Sequence, residues 1–317
     1  MDLHLAGPGG DPWAWEPPGP SRVEQPAGLL RLDGADTLRF LHGQTSQAIE
    51  GVAAGRWLGA CAISATARMR ALLEVLVDAD GAWLVIHGAD PAPVRAALDR
   101  VLFPADRVRL GDLEAVRLLR PAGGEGAAPM AAAGPGTWHR LGGEGGFALG
   151  SWLVLRAAAA LPEAMAARPP LVPLAAELWR LRLGEPLAPA EINDDTNPFE
   201  LGLADRVSLS KGCYVGQETL ARLATYDGVR RQLRRWWLAQ PTAASPRPGD
   251  RLLDGSGERA GEITSVLALP QGGWLGLALV RRQALEATEL ALEGGAALAL
   301  SLPEGFVAPP VGAGGAG

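Results

Sequence analysis

The residues of this chain best equipped for chemistry lie in one octapeptide, Lys211-Gly212-Cys213-Tyr214-Val215-Gly216-Gln217-Glu218, followed by Thr219-Leu220-Ala221-Arg222. Cys213 sits beside a lysine and just before a helix predicted over residues 218–223, a setting that lowers a thiol pKa and makes a thiolate nucleophile. Gly212 and Gly216 let a loop approach a ligand, and amides at the helix start can face an anion. In this reading Lys211 holds the thiolate or an anion, while Gln217, Glu218 and Arg222 shape the loop. The alternative for Cys213 is a packed core cysteine, which is the reading for Cys61 in Gly59-Ala60-Cys61-Ala62-Ile63.

The composition singles out the same stretch. Of 29 basic residues only Lys211 is a lysine, against a background rich in Ala, Gly, Leu, Pro and Arg. That lysine, both tyrosines (Tyr214 and Tyr226), both asparagines (Asn193 and Asn197) and Cys213 all fall between 193 and 226. Lysine offers a compact, titratable ammonium where arginine offers a planar fork. Lys211→Arg is therefore expected to lose function with little loss of stability.

Other features exclude whole classes. Over 317 residues, 48% are hydrophobic and 20% charged, which excludes a disordered chain and suggests about two domains. A net charge of −6 gives no global attraction to nucleic acid or an anionic membrane. Two distant cysteines exclude a disulfide framework and a four-cysteine cluster site, and no metal site is expected. The proline-broken N-terminus reads as no signal peptide, and the apolar stretch over 148–161 is too short to span a bilayer. The expectation is a cytoplasmic protein with reduced thiols and no membrane partner.

The elements that must position the octapeptide follow from periodicity. Residues 1–27 read as a Pro/Gly-rich disordered tail. Residues 29–32, 56–63, 71–77 and 82–86 read as strands, and 92–102 as a helix. Asp36 is placed to cap a helix carrying Leu38, Phe40 and Leu41. Residues 121–150, with the glycines at 142–146, read as a surface loop. A helix over 174–183 ends at Gly184, and Val207 and Leu209 suggest a short strand before the octapeptide. Short segments at 236–238, 251–253, 261–267, 274–279 and 297–302, divided by Gly/Pro turns, predict a small β-barrel over 236–305, with 306–317 as a flexible tail. The fold class is α+β.

The octapeptide resembles the K-G-C-Y-x-G-Q-E signature of the YgfZ family, folate-binding iron–sulfur cluster assembly proteins related to the aminomethyltransferase (T protein) of the glycine cleavage system. Arg182-Leu183-Gly184-Glu185-Pro186, Glu191 and Thr196-Asn197-Pro198-Phe199-Glu200 are similar to that family's R…G.P…E…T.P.E stretch, and Phe40-Leu41-His42-Gly43-Gln44-Thr45-Ser46 near the N-terminus is similar to its helix-to-loop FLQGQ.T segment. The resemblance runs over about residues 28–300. It implies an aminomethyltransferase-like three-part ring, with two α+β folate-binding domains over 28–235 and the β-barrel behind them. It also implies tetrahydrofolate near the middle, with Glu191 or Glu200 accepting paired hydrogen bonds from the pterin edge. Tyr214, Gly216, Gln217, Glu218 and Arg222 are the further candidate folate contacts. Glu200 has a bland alternative, a cap for the helix after Pro198.

Two departures stand out: Ser64-Ala65-Thr66-Ala67-Arg68-Met69 replaces a glycine-containing turn, and Thr225-Tyr226-Asp227-Gly228 replaces a basic pair. The resemblance implies an accessory protein for iron–sulfur assembly or repair, with Cys213 and Lys211 as its working residues and assembly or client proteins as partners. A folate-dependent aminomethyl or methyl transferase is the alternative from a different class. A third is a folate protein of tRNA modification, for which Arg230-Arg231-Gln232-Leu233-Arg234-Arg235 beside Trp236 and Trp237 would meet phosphates. Such a run is more often a solvated edge leading into a strand, and that reading is preferred.

Overall fold

The computed structural model describes residues 10–124, 136–142, 145–239 and 245–310. A 3-10 turn at Pro12–Ala14 leads into β1 (Ser21–Asp33), α1 (Thr37–Gln44), β2 (Arg56–Ile63), β3 (Met69–Asp78), β4 (Gly81–His87) and α2 (Pro91–Arg100). Then come β5 (Arg109–Ala122), β6 (Gly136–Arg140), β7 (Gly146–Leu149), β8 (Trp152–Arg156), the single turn α3 (Glu163–Ala166), α4 (Pro173–Leu183) and α5 (Gln217–Thr225). The C-terminal part holds β9 (Arg231–Leu238), β10 (Arg251–Leu253), β11 (Arg259–Ala268), β12 (Trp274–Arg281), β13 (Glu289–Leu292) and β14 (Ala297–Ser301).

Two closed antiparallel barrels result, ordered β1-β4-β3-β2-β6-β7-β8-β5 and β10-β11-β12-β9-β14-β13. Strands β1 to β4 are apolar on both faces because both are covered. Leu30, Leu32, Leu58, Leu73, Val75 and Leu84 pack with Phe40, Leu41, Val94 and Leu98 of α1 and α2. The alternate positions, Leu29, Trp57, Cys61, Leu72, Trp83 and Val85, join a second cluster with Trp138, Phe147 and Trp152. This is the period of two expected of a strand, with neither face left to water. In the second barrel Trp236, Ile263, Ala278 and Val280 form one core. Leu233, Leu275, Leu277 and Leu279, on the opposite face of β9 and β12, join Trp13, Trp179 and Phe199 in the cluster that continues into the first barrel.

Several expectations are corrected. The segment read as an N-terminal tail is structured from Gly10: Trp13 and Trp15 are buried, and β1 begins at Ser21, paired with Ala122 of β5. Two tryptophans supply enough apolar area to anchor a Pro/Gly-rich segment. Residues 1–9 lie outside the described part. The supposed surface loop over 121–150 contains β6 and β7, held by Trp138, Phe147 and Leu149, with Trp138 and Phe147 edge to face at 5.5 Å; residues 125–135 and 143–144 are outside the described part. Asp36 occupies the α1 N-cap position, but its carboxylate accepts from Arg107 rather than from the helix. The strand expected at Val207 and Leu209 does not form; that stretch follows a 3-10 turn at Ala204–Arg206. The second barrel starts at Arg231, not 236. Residues 306–310 are not loose, since Val307 N donates to the Gly202 carbonyl at 2.8 Å, whereas 311–317 fall outside the description.

The helix over 174–183 is present as α4, ended by Gly184 with φ +74°. A Cβ there would lie 2.3 Å from Pro303, so this glycine serves both the left-handed turn and the close approach of the second barrel. No helix among the described residues is long and apolar enough to cross a membrane.

Candidate functional site

The octapeptide packs on the end of α1. Lys211 Nζ donates to the carbonyls of His42, Thr45 (2.7 Å) and Gln47 (2.8 Å). These are orphan acceptors at and just past the C-terminus of α1, where positive charge is favoured. An ammonium has three donors, and all three are committed here. The ammonium also lies 4.2 Å from the centre of the Tyr214 ring. Burial pushes Lys211 down to about 7, while the three carbonyls favour its protonated form. Lys211 is therefore a clip between two sequence motifs, not a holder of thiolate or anion. The same motifs meet again where Val215 N donates to the Gly43 carbonyl at 3.0 Å, and just upstream of the octapeptide Ser208 N donates to that of Ser46 at 2.9 Å.

The rest of the octapeptide divides into buried and exposed members. Tyr214 is buried, and burial raises its phenol to about 12. Gly216 is the α5 N-cap, with φ +82°. Its Cβ would stand 2.9 Å from both Ile63 Cδ1 and the Ser64 carbonyl oxygen, which explains the glycine by contact with the 64–68 turn. Gly212 has open space where a Cβ would go. Cys213 is exposed and free, whereas Cys61 is buried, its thiol pushed up to about 12 by burial. Glu218 is exposed and Gln217 half-buried.

Glu191 and Glu200, equivalent candidates in sequence, occupy different environments. Glu191 is fully buried and accepts from Ser265 Oγ (2.6 Å), Leu187 N (3.2 Å) and Arg180 (3.5 Å), an interior network joining α4 to β11. Glu200 lines two adjoining cavities of about 720 and 420 Å³. Its Oε1 accepts from Arg231 at 3.0 Å and its Oε2 from Asn197 N at 3.1 Å. Burial raises its carboxyl above the usual carboxylate range, opposed by Arg231 and Arg68. The smaller cavity is also lined by Thr66, Asn197, Thr219, Arg222 and Tyr226. Of the eight octapeptide residues none lines either cavity; Arg222, one helical turn beyond, does.

The arginine run does not make one patch. Arg235 is turned inward over the Trp13 ring at 5.0 Å and to Ser301 at 2.8 Å, and Arg234 is buried against the Leu233 carbonyl at 3.0 Å. Arg230 and Arg231 reach the larger cavity instead, so the run is neither a contiguous phosphate-binding strip nor a simple solvated edge. The second barrel brings Arg259, Arg281 and Arg282 to the same cavity. Sequence reasoning missed these three, although the Arg281-Arg282 doublet mirrors Arg230-Arg231.

A scan against models of known protein families finds no match. The chain is 27% identical over 299 residues to a chloroplastic protein of Arabidopsis thaliana named provisionally as a transferase, with 81% of this chain and 64% of that protein covered. It thus spans less than two thirds of that relative's length. Among solved structures, the glycine cleavage system aminomethyltransferase T from Bartonella henselae matches with a TM-score of 0.69 and 23% identity, over 91% of this chain and 88% of that one. The fold with its two closed barrels accordingly resembles the aminomethyltransferase fold.

Proposed function

We propose that this chain binds tetrahydrofolate at the Glu200 cleft and acts as an accessory protein in iron–sulfur cluster assembly or repair, with Cys213 as its working thiol. The observation that carries the folate reading is the position of Glu200, largely buried but lining both cavities where they meet, while Glu191 is fully buried and lines neither. A cavity of about 420 Å³ lies in the small-molecule range. Its lining suits a pterin: a carboxylate to accept paired donors, Thr66 and Asn197 as polar neighbours, and the Tyr226 ring at the edge. Bound folate would supply a one-carbon carrier. The chain's own part is to orient it, with Arg231 fixing one oxygen of Glu200 and Asn197 N the other. The exposed Cys213 lines neither cavity and stands ready for a protein partner rather than for the folate.

Titration of the purified protein with tetrahydrofolate tests the folate reading. Glu200→Gln is expected to weaken binding about tenfold or more, the loss of one charge-assisted contact, whereas Glu191→Gln lowers Tm and leaves the affinity of the folded protein unchanged. Equal affinity in wild type and Glu200→Gln would remove Glu200 from the site. The cluster role is tested separately by Cys213→Ala in cells, where a cluster-dependent enzyme should lose activity under oxidative stress.

A transferase is the second reading, favoured by the name of the Arabidopsis relative. Formation of methylene-tetrahydrofolate from an aminomethyl donor by the purified protein would establish it over the accessory role.

A further inference from the structure

We propose that the larger cavity is a binding site for a small ligand carrying two or more oxyanionic groups, carboxylates or phosphates. Six arginines line it: Arg68, Arg230, Arg231, Arg259, Arg281 and Arg282, against three acids, Asp195, Glu200 and Glu262. The adjoining cavity shares Arg68 and Arg230 and adds Arg222. In a chain of net charge −6 this is a local reversal of sign.

The register of the second barrel makes the reversal costly. Arg231 of β9 stands directly opposite Arg281 of β12, and the next step brings Arg282 N to the Arg230 carbonyl at 2.8 Å. Like charges placed opposite each other on antiparallel strands destabilise the pair. Internal partners relieve part of this: Arg231 pairs with Glu200, Arg259 with Glu262 and Arg282 with Asp227. No hydrogen bond or ion pair engages the side chains of Arg230, Arg281 or Arg222 among the described residues. The free guanidinium forks of Arg230 and Arg281 in this cavity, with that of Arg222 in the adjoining one, suit an anion with several acceptor groups, since each fork donates to a carboxylate or phosphate in bidentate fashion. A small ligand fits better than a nucleic acid, because Arg234 and Arg235, which would extend the patch along a strand, are turned into the protein.

The proposal does not depend on folate. Its test uses the full chain, titrated calorimetrically with tripolyphosphate, with tri-γ-glutamate and with a short single-stranded RNA at low and high salt. Wild type is expected to bind at least one of the two small probes, more weakly as salt rises; which one binds identifies phosphate or carboxylate as the source. Arg230→Gln/Arg281→Gln should weaken that binding about tenfold or more, while Arg100→Gln on α2 leaves it unchanged. Failure of both small probes to bind, retention of affinity in the double variant, an equal loss in Arg100→Gln, or binding of RNA alone would each overturn it. Loss of tetrahydrofolate binding with the small-probe result intact would instead bear only on the folate reading.

Discussion

At the residue scale, Lys211 shows why one lysine persists in a chain that otherwise uses arginine. Three backbone carbonyls converge on its ammonium, and a tetrahedral point donor satisfies all three where a planar guanidinium cannot. The substitution Lys211→Arg is therefore expected to cost stability first, contrary to what the isolated sequence suggests. Lys211→Ala should be worse: it strands the buried Thr45 carbonyl, at about 1–3 kcal/mol, and the part-buried carbonyls of His42 and Gln47 at a smaller cost each. Urea denaturation of the two variants checks this, and a wild-type midpoint for Lys211→Arg would return the lysine to a chemical role. Cys213 carries the opposite expectation. Its exposed side chain bears no packing load, so Cys213→Ala should leave the urea midpoint within about 0.5 kcal/mol of wild type, and any functional loss in that variant is then chemical.

At the scale of elements, the octapeptide works as a joint between the end of α1, the 64–68 turn and the start of α5. Its two glycines differ in what they do there. Gly216→Ala places a Cβ at φ +82° within 2.9 Å of a backbone oxygen and is expected to lose about 1–3 kcal/mol. Gly212→Ala meets open space and should be near neutral; matched thermal melts of the two separate joint from spacer. The joint was partly legible in sequence: the octapeptide stood out from composition and the stop at Gly184 from turn chemistry, whereas the segment Phe40 to Ser46 was marked only by the family resemblance. The short strands β6 and β7 were not, because four or five residues of alternation do not rise above a Gly/Ala background until Trp138 and Phe147 find partners elsewhere in the barrel. The arginine cleft was hidden for a related reason: it depends on the register Arg231↔Arg281, which periodicity within a single strand does not contain.

For the whole molecule, the segment carrying the candidate site is fastened to the first barrel by a buried charge network. Arg206, fully buried, donates to Glu74 at 2.8 Å and to the Leu73 carbonyl at 3.1 Å. His87 lies 3.1 Å from the same Glu74 oxygen, and its other ring nitrogen faces the Gln25 amide at 3.3 Å. Gln25 Oε1 accepts from Arg120, so the amide nitrogen is what faces His87, and the imidazole is neutral with its proton on Nε2 toward Glu74. A second proton would point at a donor. Burial accordingly holds His87 below its ordinary 6.5, with Arg206 and Arg120 acting in the same direction and Glu74 opposing. Glu74 would be raised by burial, but Arg206 and His87 outweigh this and hold it below 4.5. Both shifts have one sign in stability. As pH falls through 6.5 the unfolded chain takes up a proton at His87 that the folded chain refuses, and below 4.5 the same holds for Glu74. From these two groups stability should thus decline on acidification below about pH 6.5, by at most about 1.4 kcal/mol per pH unit for each group. His42, lowered by burial and by Lys211, adds to the first part of the decline. Replacing His87 by Gln should lower Tm at neutral pH yet flatten its dependence between about pH 6.5 and 5, and a variant whose Tm falls as steeply with acid as wild type would show that this network does not set the acid limit of the fold.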